Sequence, residues 1–147
     1  MKKTTKRIIL VLAAALLGAV LIYQYGTLSL GSRIPDKDWV SMKLQYLESE
    51  DSREAPVYEI RPMEQTLARI RAQRVLRDRN ANPGQEQTCR VTLEASDGTA
   101  TVVVAGKDGR IWLCREEALG QWESFRAGSA LHIYLARVRM ILSGAWD

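Results

Sequence analysis

The chain has 147 residues, 46% hydrophobic and 26% charged, with ten Gly and four Pro, a composition that excludes a disordered or collagenous protein and suits one ordinary domain. Two cysteines are too few for a disulfide scaffold. The formal net charge is +4, and Lys2, Lys3, Lys6 and Arg7 account for that excess, so the remainder is near neutral and offers no bulk electrostatic case for nucleic acid.

The basic flank "MKKTTKR" precedes sixteen uncharged residues, Ile8 to Tyr23. A basic flank followed by an apolar run is a membrane-directed signal. Continued to Leu30, the run would rise about 34 Å as a helix, enough to cross a hydrocarbon core of about 30 Å. Tyr23 and Tyr25 would lie at the outer interface, where amphipathic rings are favoured. Residues 1–31 therefore read as a signal anchor, with the N-terminus cytoplasmic and the rest outside, periplasmic if the cell is bacterial. Ser29 and Gly31 also meet the small-residue spacing of signal cleavage, which is the competing reading. The absence of Cys near the run argues against lipid attachment. Ala14 and Gly18, like Ala15 and Ala19, form small-xxx-small pairs that would allow a weak homodimer of such helices.

Residues 32–56 are expected to hold a juxtamembrane helix and an acidic loop. Asp36 is a suitable N-cap, and Val40, Leu44 and Leu47 fall at helical spacing, with Trp39 and Tyr46 beside them. Packed on the core, this helix would be ordinary; at the bilayer, Trp39 would be an interfacial residue with Tyr23 and Tyr25. Residues Glu48 to Glu54 read as loop.

Residues 57–147 are expected to form the exported domain. Val57 to Ile60 suggests a short strand, and Arg61 to Asn80 a helix with Pro62 in its first turn. Its apolar stripe is poorly focused: Met63, Leu67 and Ile70 share a face that Val75 and Leu76 do not. Arg69, Arg71, Arg74, Arg77 and Arg79 invite contact with an anionic surface or an acidic envelope partner. The predicted topology argues against nucleic acid.

Asp97-Gly98 and Asp108-Gly109 sit between runs rich in Val, Thr and Ile, which predicts a three-stranded meander. Two-residue loops would pair Ala95 with Ala100, Leu93 with Val102 and Val91 with Val104. They would likewise pair Val104 with Leu113 and Gly106 with Ile111, and would set Val103, Ala105, Trp112 and Cys114 on one face. Cys89 and Cys114 would then lie on opposite faces, roughly 14 Å apart, beyond the reach of a disulfide.

Other chemistry finds little support. His132 is the single histidine and no ligand spacing supports a metal site. "GKDGR" lacks the phosphate-loop pattern, no cofactor motif is present, and no acid and base residues pair up.

The segment "REEALGQWESFRAG" reads as a short helix or crossover. Residues 129–143 fit either a helix capped by Ser129 and stopped by Gly144, or strands bent near Ala136; β-branched and aromatic content favours strands. The expected fold is α+β: a transmembrane helix, then a small domain with two helices and a β-meander completed into a curled sheet or barrel. Its strand order resembles the OB-fold arrangement. The expected function is that of a single-pass membrane-anchored envelope protein with a non-catalytic binding or assembly module. The alternatives are a cleaved-signal secreted or anchored small enzyme, and an OB-like oligosaccharide or nucleic-acid binder.

Overall fold

The computed structural model describes residues 2–46, 51–75, 83–84, 87–106, 109–127 and 131–143. The chain runs α1 (Lys3–Tyr25), β1 (Thr27–Ser29), a 3-10 turn (Leu30–Arg33), β2 (Trp39–Tyr46), β3 (Asp51–Glu54), a 3-10 turn (Val57–Glu59) and α2 (Ile60–Arg69). It continues through β4 (Arg71–Arg74), β5 (Gln87–Ala95), β6 (Ala100–Gly106), β7 (Arg110–Cys114), a 3-10 turn (Glu117–Leu119), β8 (Trp122–Ala127) and α3 (Leu131–Leu142). The eight strands form one antiparallel sheet in the order β1-β4-β8-β7-β6-β5-β2-β3. The fold is α+β. The sheet is open, with β1 and β3 at its edges, so it does not close into an OB-like barrel.

The apolar helix does not continue to Leu30. It ends at Tyr25, and its N-terminal end takes in Lys3, Lys6 and Arg7. Ile8 to Tyr25 is a helical apolar stretch of about 27 Å, close to the thickness of a hydrocarbon core.

The expected juxtamembrane helix is strand β2. Met42, Leu44 and Tyr46 are buried while Lys43 and Gln45 are not, a period of two. Val40, needed for the helical stripe, is exposed. Pairing decides the matter, because β2 lies against β5 from Trp39↔Ala95 to Tyr46↔Cys89, with a bulge between Trp39 and Ser41. Residues 51–54 of the expected acidic loop are strand β3. The expected strand at Val57 is instead a 3-10 turn.

The second expected helix is half helix and half strand. Ile60, Met63 and Leu67 are buried on α2, and the helix ends at Arg69. The stripe loses focus beyond Ile70, and there the chain turns into β4, which pairs with β1 and β8. Expectations about Arg77 and Arg79 lie outside the described residues.

The meander is present, with its register shifted by one residue. Ala95 N–H donates to Thr99 O (2.8 Å) and Gly98 N–H to Ala95 O (3.0 Å), and Gly98 has φ +84°. The loop therefore holds three residues, not two, with glycine in the left-handed position. As a result Val91 pairs with Val103 and Leu93 with Thr101. A one-residue slip exchanges the faces of a strand, so Val103 and Ala105 join the Cys89 face while Val102 and Val104 join Trp112 and Cys114. The second hairpin pairs Val103 with Leu113 and Ala105 with Ile111, also one residue off the expected register; Asp108 lies outside the described residues.

The segment expected to be a crossover contains strand β8, an interior strand paired with β4 and β7. The C-terminal stretch is a helix, not bent strands. Leu131, Tyr134, Val138 and Ile141 of α3 are buried, and they pack with α2 on one face of the sheet against Leu44, Val91, Leu113 and Phe125. A sheet face this apolar needs a cover, and a helix supplies an apolar stripe without adding an edge strand. The expected caps Ser129 and Gly144 lie outside the described residues.

Candidate functional site: the helix junction and the arginine–tryptophan face

Two features stand apart from the core. The first is the junction between α1 and the sheet. Gly26 follows α1 in extended conformation and β1 begins at the next residue. A Cβ on Gly26 would lie 2.3 Å from Ile22 O, so only glycine permits this tight exit. Four residues later Leu30 is fully buried. Its N–H donates to Ile70 O (2.9 Å), and Ser29 Oγ donates to Ala68 O (2.6 Å). Gly31 lies flat on α2, where a Cβ would come within 2.6 Å of Ala68 Cα. On the other side of the exit the Arg74 guanidinium sits 4.7 Å from the Tyr23 ring centroid and donates to the Tyr23 hydroxyl.

This junction gathers some of the expected site residues and separates others. Tyr23 and Arg74 meet; Arg69 and Arg71 are exposed nearby on α2 and β4. Tyr25 ends α1, and its side chain lies outside the described part. Trp39, expected at the bilayer, is buried in the core. Gly18 on α1 has nothing within 4 Å of where a Cβ would stand.

The second feature is the sheet face opposite α2 and α3. Val102, Val104 and Cys114 are fully buried there, although among the described residues neither helix packs on them. Long side chains cover them instead. Arg90 reaches from β5 to Trp122 on β8, its guanidinium 5.9 Å from the ring centroid, and Arg110 lies 5.2 Å over Trp112. Arg110 also donates from Nη2 to Ser124 Oγ (2.9 Å). Arg126 stands directly across from Arg110 in the β7–β8 register and is exposed. The Trp112 ring is 4% exposed, so it is no open stacking platform for bases or sugars. Its Nε1, and Nε of Arg90, are buried donors with no acceptor among the described residues.

Trp122 also borders a groove of about 450 Å³ lined by Pro35, Lys37, Arg115, Glu116, Leu119, Gln121 and Glu123, two cations balanced by two carboxylates. Leu119 is 63% exposed at its rim. The cations of the groove are engaged: Lys37 with Asp97 (3.2 Å), Arg115 with Glu123 (3.2 Å).

None of Arg90, Arg110, Trp112, Trp122 or Arg126 stood out in sequence. Their signal is the alternation Arg110-Trp112-Cys114 and Trp122-Ser124-Arg126, which becomes readable only when β8 is known to be a strand and the register is right.

The cysteines face opposite ways, as expected, and both are free. Burial pushes the Cys89 thiol up to about 12 and raises that of Cys114, whose Sγ donates to Glu116 O (3.3 Å). Neither is a poised nucleophile. His132 is exposed on α3, and among the described residues no three His, Cys, Asp or Glu side chains gather as a metal site would need. The chain matches no family model, no curated protein and no solved structure.

Proposed function

We propose that the protein is a single-pass membrane protein whose α1 is retained as an anchor. It holds an exported sheet domain close to the bilayer as a non-catalytic binding or assembly module of the cell envelope. α1 is the one helix among the described residues long and apolar enough to cross a membrane. The observation that carries the anchored reading, against a cleaved leader, is the seating of Ser29, Leu30 and Gly31 in the fold. Cleavage after Gly31 would remove β1 and strip the edge from β4, exposing backbone groups now paired. The basic residues ahead of α1 favour a cytoplasmic N-terminus. Arg69 and Arg71, exposed near the exit, suit an anionic headgroup layer.

A periplasm-active reporter fused after Asp147, together with sequencing of the mature N-terminus, tests this reading. Reporter activity with residues 1–31 intact is the expected result. A mature chain beginning at Gly31 or Ser32, or an inactive reporter, would overturn it.

A further inference from the structure

We infer that the corner of the sheet beside the exit of α1 binds the phosphate of an anionic phospholipid. Arg74 takes the phosphate, and Arg71 and Arg69 add positive charge behind it. This deepens the anchored reading and rests on it.

Register places these arginines. β4 pairs antiparallel with β1 from Ser29↔Arg71 to Thr27↔Gln73, so it runs back towards α1 and brings Arg74 level with Gly26. There the ring and hydroxyl of Tyr23 hold its guanidinium from one side. A tyrosine at the end of an apolar helix suits the membrane interface, and the headgroup layer beyond it is about 5–8 Å thick. Arg74 therefore stands within that layer. Arg71, three residues back along the strand and roughly 10 Å farther out, stands at its outer margin, and Arg69 ends α2 two residues before it.

Charge identifies the ligand. Among the described residues Arg69, Arg71 and Arg74 form no ion pair. Glu123 on β8 lies two residues from Phe125, which pairs with Arg74, but it is already bound by Arg33 (2.6 Å) and Arg115 (3.2 Å). Tyr23 accepts from Nη1 of Arg74 alone, which leaves the guanidinium donors that phosphate oxygens match. Two further exposed cations beside it raise the local positive potential.

The same rim of the sheet turns acidic farther along. Glu116 and Glu117 follow β7 and Asp97 follows β5, two and four strand spacings from β4. Each spacing adds roughly 20–25° of twist, so these carboxylates turn away from a flat layer that meets β4. An anionic surface attracts one corner and repels the other, which fixes how the domain leans on the bilayer. An acidic protein segment fits less well, because it would have to enter the headgroup layer to reach Arg74.

The test uses the full chain in nonionic detergent micelles, carrying Lys2→Gln, Lys3→Gln, Lys6→Gln and Arg7→Gln so that the other end of α1 attracts no anion. Native mass spectrometry compares its retention of phosphatidylglycerol and phosphatidylcholine. Phosphatidylglycerol should be preferred. Arg74→Gln should cut that preference about fivefold, the worth of one cation at an anionic surface, and Arg71→Gln should cut it less, with Arg90→Gln on β5 unchanged. Equal retention of the two lipids, or an Arg90→Gln loss as large as that of Arg74→Gln, overturns the proposal. Displacement of the lipid by equimolar inorganic phosphate or by a Glu-rich peptide also overturns it, assigning the corner to a soluble anion or to an acidic protein segment. Because Arg74→Gln also breaks the contact with Tyr23, a second measurement leaves the corner intact. Solid-state NMR of the arginine-labelled parent in phosphatidylglycerol bilayers should show a phosphorus–nitrogen dipolar contact at the Arg74 resonance, which the Tyr23 ring current sets apart; no contact there sinks the proposal. Purified chain is used throughout. A leader cleaved in the cell therefore fails the anchored reading alone, and an intact N-terminus without lipid preference fails this proposal alone.

Discussion

Arg74 lies over the ring of Tyr23, 4.7 Å from its centroid, and so joins the end of the apolar helix α1 to the fourth strand across a sequence separation of 51 residues. With Gly26 leaving no slack, this contact sets the angle at which the sheet leaves the helix. A double-mutant cycle of Tyr23→Ala and Arg74→Ala, read by urea unfolding of the sheet in micelles, should give a coupling of about 0.5–1 kcal/mol. Zero coupling would mean that the helix and sheet meet without holding one another.

The same tie recurs on the covered face. Glu59, 4% exposed, accepts from Arg137 Nη2 of α3 at 2.9 Å, linking that helix to the turn before α2. Arg137→Met leaves a buried carboxylate unpaired and should cost about 3 kcal/mol. Adding Glu59→Leu should restore most of the loss, because two apolar side chains of similar size satisfy a buried site that one charge does not. Thermal unfolding of the single and double variants decides it; a single variant as stable as the parent would refute the pairing.

The two thiols make a sharper test of the sheet. Cys89 and Cys114 lie on opposite faces and are buried, so both should resist a thiol reagent in the native protein. Both should react in denaturant without any reductant. Labelling that requires reductant would demand a bridge across two strand spacings, which this sheet cannot make. The Tyr134 hydroxyl lies beside the Cys89 thiol, fully buried and without a hydrogen bond of good geometry. Tyr134→Phe removes an unsatisfied group and should leave stability unchanged within about 1 kcal/mol or raise it.

Acid should find the first hairpin. Thr99 donates to Asp97 Oδ1 from Oγ1 (2.6 Å) and N–H (2.9 Å), and Lys37 donates to Oδ2 (3.2 Å). These bonds, the hydroxyl's foremost, hold the Asp97 carboxyl down to about 2. Its pKa is lower folded than unfolded, so its contribution is present above the ordinary carboxylate value of about 3.9 and lost as pH falls through about 2. Asp97→Asn should therefore flatten the melting temperature against pH across that window and leave no pH-dependent difference above it. An unchanged acid limb would show the turn to be uncoupled from folding.

Local chemistry was sufficient in the sequence for the basic-apolar leader and both glycine turns, since an apolar run and a residue that must take positive φ each carry their outcome within a short window. The cysteines stay opposed only because the one-residue slips of the two hairpins cancel between β5 and β7. β2, β4, β8 and α3 were not legible in that way. Trp39 to Tyr46 satisfies both a helical and a strand period until β5 offers it a ladder, and residues 71–74 become strand because β1 and β8 flank them. The register turned on one extra loop residue, Ser96, which reverses the faces of β6 and so decides which valines the helices cover. The arginine–tryptophan face follows from that slip. Its members come from three strands, and only hydrogen-bonded pairing, whose partners are far apart in the chain, brings Arg90 over Trp122. The sequence by itself determined the long apolar helix and where the chain turns; tertiary pairing decided which side chains share a face, because a strand's sides are defined only relative to its neighbours.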